Sequence, residues 1–392
     1  MPTDMPTDMP TRVAGNSEEQ VAIAREVRKF AEAELAPHAV EWDQAKHFPT
    51  DVLRRAGDLG LGGIWIREDV GGSGLGRADA VRIFEELARG DTAIAAYISI
   101  HNMVTSMIDS NGTAEQRRTW VPSMTTMEDL GSYCLTEPDA GSDAAAIRTT
   151  ARRDGDGYVL DGVKQFISGA GASRVYVVMA RTGEPGPRGI TAFVVPGDAA
   201  GLSFGANEMK MGWNAQPTRQ VVLDGVRVPL AQRLGEEGDG FGIAMRGLNG
   251  GRLNIAACSL GGAQWALEQA TAHLRTRHAF GAPLSTQQVL VFQLADMETE
   301  LQAARCLLHH AADALDRGDP DSVKLCAMAK RFVTDAGFTA ANAALQLHGG
   351  YGYLSEYRVE KVVRDLRVHQ ILEGTNEIMR LIVGRSLIED AA

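Results

Sequence analysis

The chain has 392 residues, which is too long for one ordinary hydrophobic core, so two or three packed units are expected. Hydrophobic residues make up 44% and charged residues 23%, as in an ordinary soluble globular protein. The net charge of −11 argues against a nucleic-acid partner, and the sequence contains no run of about 18 apolar residues that could cross a membrane.

The cysteines and the N-terminus show no sign of a metal site, a disulfide framework or an export signal. Cys134, Cys258, Cys306 and Cys326 are widely spaced and form no Cys-x-x-Cys pair, so we predict reduced and mostly buried thiols. The Met-Pro-Thr-Asp repeat at the start lacks the basic and apolar regions of a signal peptide. Residues 1–16 are therefore predicted to be a disordered tail, and the protein to be cytoplasmic.

Residues 17–130 are predicted to form an α-helical domain. Ser17-Glu18-Glu19-Gln20 has the spacing of a capping box, and apolar residues then recur at helical intervals as far as Pro37. The glycine-rich run from Gly71 to Gly76 lacks the spacing of a nucleotide-binding loop, so a plain loop is predicted. Further helical patterns occupy Asp51–Leu59, Ala78–Ala88 and Thr92–Ile108, and Thr113–Gln116 begins another.

Residues 131–239 are predicted to form a β domain. Short β-branched segments there are separated by turn residues such as Asp154-Gly155. Because no helices intervene, we expect antiparallel sheets folded into a barrel-like sandwich. The clearest predicted strands are Tyr158–Leu160, Val175–Met179, Ile190–Val195 and Gln220–Val228.

Residues 240–392 are predicted to be helical again, which makes the fold class α+β. A helix of about 30 residues is about 45 Å long, so several such helices can pack side by side as a four-helix bundle. The predicted helices are approximately Phe241–Arg275, Thr286–Asp316, Asp321–Leu347 and Thr375–Ile388.

Glu373 is the residue whose surroundings best suit acid–base chemistry. It follows two bulky apolar residues, Ile371 and Leu372, and lies just before Gly374-Thr375, where a helix is predicted to begin. Apolar neighbours raise the pKa of a carboxyl group and a helix N-terminus lowers it, so the two effects together can produce a base near working pH. The alternative is that Glu373 has no catalytic role and simply lies at the start of a helix.

Three separated motifs resemble the acyl-CoA dehydrogenase family. They are Glu373-Gly374-Thr375-Asn376-Glu377, the run His348–Tyr353, and Tyr133-Cys134-Leu135-Thr136-Glu137-Pro138. The predicted order of a helical, a β and a second helical domain is also that of the family, so the resemblance covers nearly all of Ser17–Asp390. It implies an FAD cofactor, an acyl-CoA substrate and Glu373 as the base that removes the α-proton.

The resemblance also implies two flavin-binding segments in the β domain. The run Tyr133–Ser142 is similar to the family's flavin loop, and Phe166-Ile167-Ser168 to the segment that stacks on the flavin ring. An aromatic residue in a β domain is as often part of the core, and that reading of Phe166 stays open. The expected flavin contacts are Tyr133, Leu135, Thr136, Ser142, Phe166, Ile167 and Ser168.

A third set of residues resembles the segments that bind the dinucleotide half of FAD from a neighbouring subunit. This implies a homotetramer arranged as a dimer of dimers. Arg277 suits a pyrophosphate because its guanidinium donates paired hydrogen bonds, although an arginine at a helix end can simply pair with the helix dipole. The set consists of Arg277, Phe280, Gln287, Gln288, Gln346, Gly349, Gly350, Thr375 and Glu377.

Substrate contacts are implied at Ser142, Asn249, Arg252, Gly374 and Arg385. Consecutive glycines at Gly250 and Gly251 lie inside a helical pattern, where each costs about 1 kcal/mol relative to alanine, so a packing or ligand reason is expected. Some family members carry their catalytic glutamate immediately before the arginine that corresponds to Arg252. That position is Gly251 here, which leaves Glu373 as the base.

Within the family, three runs resemble enzymes that act on short branched acyl chains: Arg246–Gly262, Met211–Arg219 and Val368–Leu372. They imply conversion of isobutyryl-CoA to methacrylyl-CoA in valine catabolism, with electrons passed to an electron-transfer flavoprotein. The alternatives are 2-methylbutyryl-CoA or butyryl-CoA as substrate, an acyl-CoA oxidase that uses oxygen, or a binding protein that keeps only the fold.

Overall fold

The computed structural model describes residues 17–389, and the predicted tail at residues 1–16 lies outside them. The described chain begins with helices, as predicted. Ser17 forms the expected capping box with Gln20, but the first helix ends at Phe30 and continues as one π-helical turn, Ala31–Leu35. The helices are α1 (Glu18–Phe30), α2 (Ala39–Ala45), α3 (Thr50–Asp58), α4 (Arg77–Gly90), α5 (Thr92–Asn111) and α6 (Ala114–Thr125).

The middle of the chain forms an eight-stranded sheet within the described residues. Its strand order is β6-β7-β3-β2-β4-β5-β8, with β1 paired beside β4. The expectation of purely antiparallel pairing is wrong at two places, because β1 runs parallel to β4 and one residue pair joins β2 to β4 in parallel. The strands are β1 (Gly131–Cys134), β2 (Thr150–Asp154), β3 (Gly157–Ser168), β4 (Val175–Arg181), β5 (Ile190–Pro196), β6 (Leu202–Phe204), β7 (Thr218–Pro229) and β8 (Arg233–Leu234).

Strand β4 is buried on both faces and joins the β domain to the helices. Its residues Tyr176, Val178 and Ala180 face a core made with β3, β5 and β7, while Val175 and Val177 face a second core with α5 and α6. Because successive side chains of a strand point to opposite faces, one strand serves both cores. Burial on both faces explains why the predicted strand Val175–Met179 is a continuous apolar run and does not alternate with polar residues.

The C-terminal part is helical, but it contains one more helix than predicted. The predicted four-helix bundle does not include α10 (Val359–His369), which follows Arg358 and has no side-chain cap. The long helices approach closely where residues are small: a Cβ on Gly337 would lie 3.0 Å from the Ser259 carbonyl oxygen. The helices are α7 (Gly240–Thr276), α8 (Gln288–Asp316), α9 (Ser322–Leu347), α10 and α11 (Asn376–Glu389), with a small hairpin of β9 (His278–Ala279) and β10 (Ala282–Pro283) after α7.

The α+β fold class is confirmed, with helical, β and helical parts in that order. The free thiols Cys134, Cys258 and Cys326 are buried as expected, whereas Cys306 is exposed. None of the helices between residues 17 and 389 combines the length and the apolar character needed to cross a membrane.

Candidate active site

Glu373 lies in a tight loop between α10 and α11 whose backbone is unusual. Glu373 has a φ of 56° and Gly374 a φ of 88°, so two consecutive residues are left-handed. That conformation costs a non-glycine residue roughly 1–2 kcal/mol and persists only where surrounding contacts fix it. The Leu372 N–H donates to the Val368 carbonyl (3.0 Å), and the Asn376 N–H donates to the Gln370 carbonyl (3.0 Å), which closes the loop from both sides.

The Glu373 carboxylate is turned into the protein. Its Oε2 atom is buried and has no hydrogen-bond partner among the described residues. Burial raises the pKa of Glu373 to about 7, although the positive charges of Arg252 and Lys330 act in the opposite direction. Desolvation therefore outweighs two nearby cations and leaves a carboxyl group that can accept a proton near neutral pH.

Arg252 and the glycines before it shape the wall that faces this carboxylate. The Arg252 Nε donates to the Glu373 carbonyl (3.2 Å), and its Nη1 donates to Asn249 Oδ1 (2.7 Å). A Cβ on Gly251 would lie 2.6 Å from Glu373 Oε2, and a Cβ on Gly250 would lie 2.5 Å from an Arg77 nitrogen. A side chain at either position would therefore displace the end of the Glu373 or the Arg77 side chain, which is a packing reason of the kind expected from the sequence.

The edge of the β domain contributes a bulge with an exposed aromatic ring. The pairing of β3 with β7 shifts register between Lys164 and Ile167, and Phe166 within that bulge has a φ of 59°. Its side chain is 63% exposed, so the core reading of Phe166 is wrong. A bulge re-aims a side chain, which here directs the ring away from the core.

The predicted flavin loop lies beside this bulge. The Gln165 N–H donates to the Thr136 carbonyl (2.8 Å), and Lys164 Nζ donates to the Leu135 carbonyl (3.1 Å). Ile167 is buried, and the Ser168 carbonyl accepts a hydrogen bond from a neighbouring serine hydroxyl. The flavin loop and the bulge, which are about 30 residues apart in sequence, thus lie together at one edge of the β domain.

Tyr133 connects this edge with the Glu373 loop. Its hydroxyl is buried and has no hydrogen-bond partner among the described residues. Burial raises the pKa of Tyr133 well above its ordinary value, and the charge of Glu373 raises it further, so the two groups lie within electrostatic reach. Since nearly all buried polar groups are paired in proteins, two unpaired groups near each other indicate a place for a ligand.

The residues from Arg277 to Gly350 that are predicted for the dinucleotide half form an exposed group, whereas Thr375 and Glu377 lie next to Glu373 in the chain. The Arg277 guanidinium lies 5.4 Å from the Tyr351 ring centre, next to Gly349 and Gly350. Phe280 is 95% exposed at the tip of the β9–β10 hairpin. Gln288 and Gln346 are also exposed and Gln287 is partly so, and no described contact joins any of this group to Glu373 or Phe166.

The remaining predicted residues are spread along the loops and α11. The Thr375 hydroxyl accepts from the Ile378 N–H (3.3 Å) and so caps α11, and Glu377 is exposed beside Arg380. Ser142 is exposed in the loop after β1. Arg385 is exposed on α11, and the fold does not bring it into contact with Glu373.

Sequence reasoning missed two buried residues, one that holds the loop and one at the end of the helix before it. Lys330 on α9 donates to the Gly374 carbonyl (2.8 Å). His369, whose pKa burial lowers to about 3, lies between Ser259 Oγ (2.7 Å) and Trp213 Nε1 (3.2 Å). The sequence did contain a signal for Lys330. It lies between Cys326 and Val333 on the buried face of α9, where an unpaired charge needs a partner.

Comparison with known proteins matches all three parts of the chain to one family. Models of the N-terminal, middle and C-terminal domains of acyl-CoA dehydrogenases match residues 17–128, 132–226 and 238–388. The mitochondrial isobutyryl-CoA dehydrogenase of Bos taurus is 53% identical over 96% of this chain and 90% of its own length. That of Dictyostelium discoideum is 51% identical over 96% of this chain and 91% of its own length.

The solved structure of butyryl-CoA dehydrogenase from Megasphaera elsdenii superposes with a TM-score of 0.93 at 35% identity. The match covers 96% of this chain and 100% of that one. A carboxyl group with a pKa raised to about 7 and an unpaired Tyr133 hydroxyl within its electrostatic reach thus occur on a chain whose helical, β and helical parts each match a model of one family. The chain belongs to the acyl-CoA dehydrogenase family, flavin-dependent oxidoreductases that act on CH–CH bonds.

Proposed function

We propose that this protein oxidises isobutyryl-CoA to methacrylyl-CoA in valine catabolism, with Glu373 as the base and FAD as the cofactor. The observation that carries the proposal is the Glu373 carboxyl group: its Oε2 atom is buried and has no hydrogen-bond partner among residues 17–389, and burial raises its pKa to about 7. A general base works best when its pKa lies near the operating pH.

Glu373 serves the reaction at two atoms. Its carboxylate removes the proton on the carbon next to the thioester carbonyl and holds that proton while the β-carbon loses a hydride. Its backbone N–H donates no hydrogen bond to any described residue, which leaves it free to bind the thioester oxygen. A donor at that oxygen stabilises the negative charge that develops as the proton leaves.

The residues at the β edge fit a flavin. The exposed Phe166 ring offers a stacking surface, and the unpaired Tyr133 hydroxyl and the Thr136 side chain offer polar contacts. When bound, FAD supplies the acceptor for the hydride. Tyr133, Leu135, Thr136, Ser142 and Phe166–Ser168 would hold its ring system.

The dinucleotide half would be held by the exposed group around Arg277, together with residues of a second copy in a homotetramer. The support is the exposure of apolar side chains that a lone chain would leave in water, since large exposed apolar patches usually mark interfaces. Those near the predicted cofactor segments are Phe280, Val289, Val291, Phe292 and Tyr353.

The branched four-carbon substrate is supported by the two relatives above, both of which carry the name isobutyryl-CoA dehydrogenase. One methylene in an apolar pocket changes specificity by only about 1–3 kcal/mol, so 2-methylbutyryl-CoA and butyryl-CoA should remain detectable substrates. Asn249, Arg252, Gly374 and Arg385 would contact the acyl-CoA, and an electron-transfer flavoprotein would reoxidise the flavin.

The test is a panel of acyl-CoAs mixed with the purified yellow protein under anaerobic conditions. Isobutyryl-CoA should bleach the flavin with the highest kcat/KM, followed by its one-carbon neighbours. A strong preference for octanoyl-CoA would refute the substrate assignment. Stoichiometric hydrogen peroxide on mixing in air would identify an oxidase, and a purified protein without flavin colour would favour a non-catalytic role.

A further inference from the structure

Lys330 is a buried lysine with an unusual set of partners. Its side chain is fully buried on α9, and its Nζ donates to the Gly374 carbonyl (2.8 Å) and to Asn376 Oδ1 (2.9 Å). It forms no ion pair with a carboxylate in the described part of the chain. A buried ammonium group needs compensation, and here both of its hydrogen-bond acceptors are neutral oxygens, one in the Glu373 loop and one at the start of α11.

Other buried lysines of the protein are compensated differently. Lys361 on α10 pairs with both Asp91 (2.9 Å) and Asp365 (2.7 Å). Lys164 on β3 pairs with Glu137 at 2.7 Å. Burial lowers the pKa of Lys330 to about 8, so Lys330 is positively charged at neutral pH, and the charge that favours this state most is that of Glu373.

Lys330 acts together with Arg252 on two successive carbonyl groups. Arg252 on α7 donates to the Glu373 carbonyl at 3.2 Å, and Lys330 on α9 donates to the Gly374 carbonyl at 2.8 Å. Both carbonyls belong to the left-handed pair of residues. Helices α7 and α9 therefore hold the same strained turn through these two cations.

We propose that Lys330 is a positioning residue of the reaction: through the Gly374 carbonyl it fixes the orientation of Glu373, and through its charge it keeps the Glu373 carboxylate available as a base. This inference rests on the proposed role of Glu373 as the base. It assigns to α9, which supplies no predicted substrate contact, control over the reactivity of a loop 43 residues downstream.

The charges around Glu373 give the direction of the effect. Arg252 from α7 and Lys330 from α9 both favour the charged form of the Glu373 carboxyl group. Burial favours its neutral form, and Tyr133 on β1 brings no positive charge to it. Asp335 and Glu377 face Lys330 from α9 and α11. Removing Lys330 leaves the burial of Glu373 in place and removes one of its two cations, so the pKa of Glu373 rises.

The test compares Lys330→Met, which removes the charge and the donors, with Lys330→Gln, which retains a donor. Flavin reduction by isobutyryl-CoA is measured by stopped flow from pH 5.5 to 9.5 in each variant and in wild type. We expect the acidic limb of the rate profile to move up by about one pH unit in both variants, the usual effect of one adjacent charge. The plateau should fall about tenfold in Lys330→Met, because the turn loses its support, and less in Lys330→Gln.

An acidic limb that stays at the wild-type pH in both variants would overturn the proposal, since a purely structural role lowers the plateau without moving the limb. If Lys330→Met does not fold, Lys330→Gln decides the question alone. Lys361→Met is the matched control: it removes another buried lysine and should lower thermal stability without moving the limb.

A second measurement separates this proposal from the proposed function. The stability difference between wild type and Glu373→Gln grows with pH until it levels off near the pKa of Glu373 in the folded protein, and this measurement needs no substrate. In the Lys330→Gln background, the pH at which the difference levels off should be higher by about one unit. This result is expected whichever acyl-CoA the enzyme prefers, and an unchanged levelling-off pH would refute the charge effect.

Discussion

The Glu373 loop and the exposed group around Arg277 differ in how completely one chain builds them. In the loop, hydrogen bonds from α7, α9 and the preceding turn fix a left-handed pair of residues. Around Arg277, the side chains are exposed, and the guanidinium lies against the face of Tyr351. Phe280 projects into solvent at 95% exposure.

The difference shows which part of the site is preorganised. Catalytic groups need positions accurate to a fraction of an ångström, and such accuracy comes from rigid helices and paired hydrogen bonds. A cofactor-binding site can be completed by another chain, because a symmetric assembly places the same exposed segment of one copy against a second copy. We expect damage to the loop to affect rate, and damage to the Arg277 group to affect cofactor retention and assembly.

The largest effect is expected from Glu373→Gln. The amide keeps the size and polarity of the side chain but accepts no proton, so FAD and substrate should still bind while flavin reduction slows by about 10²–10⁴-fold. Stopped-flow mixing with isobutyryl-CoA measures this directly. A rate within tenfold of wild type would mean that the base lies elsewhere.

A carboxylate placed at position 251 instead of position 373 should restore part of the activity. A side chain at position 251 would collide with a residue at position 373, since the Gly251 Cβ would lie 2.6 Å from Oε2. The transplant should therefore combine Gly251→Glu with Glu373→Gly, and glycine also relaxes the left-handed φ at position 373. Part of the rate should return, although a displacement of about 1 Å can cost on the order of 10² in rate. No gain over Glu373→Gly alone would contradict a shared pocket.

The next effect concerns the pH dependence of stability. Burial raises the pKa of Glu373 from 4.5 to about 7, so the folded state holds a proton that the unfolded state releases between those values. The wild-type protein therefore loses stability relative to Glu373→Gln as pH rises from 4.5 to 7, with no further change above that. The total is about 2–3 kcal/mol, at about 1.4 kcal/mol per pH unit with partial exposure discounted. Thermal unfolding midpoints at matched protein and FAD concentrations check it, and parallel curves for the two proteins would exclude a raised pKa.

The smallest effect tests the other region. Arg277→Ala should lower FAD affinity about tenfold, the usual loss for one charge-assisted hydrogen bond, and leave the flavin-reduction rate of the loaded enzyme nearly unchanged. FAD content after gel filtration at decreasing protein concentration measures it. Arg275→Ala is the control, because Arg275 is exposed at the same helix end and shares any interaction with the helix dipole. Equal FAD loss in both variants would favour the helix-end reading of Arg277.

Local signals explain which elements could be predicted from the sequence. The capping box at Ser17 and the long apolar periodicities of α5, α7 and α9 depend on residues a few positions apart, so they are visible without the fold. The helices α2 and α10 were missed for a related reason. The residue before each of them is His38 or Arg358, and neither is of the Ser, Thr, Asp or Asn type that marks a helix start in a sequence.

The sequence by itself determined the order of the three parts and the identity of Glu373 as the candidate base, because the motif and its apolar neighbours are contiguous. Only the tertiary structure decided that Phe166 leaves the core through a bulge, that β1 pairs in parallel with β4, and that Lys330 supports the Gly374 carbonyl. These features depend on which groups meet across the fold. Desolvation and hydrogen bonding are set by such neighbours, so the pKa of Glu373 is a property of the packed molecule.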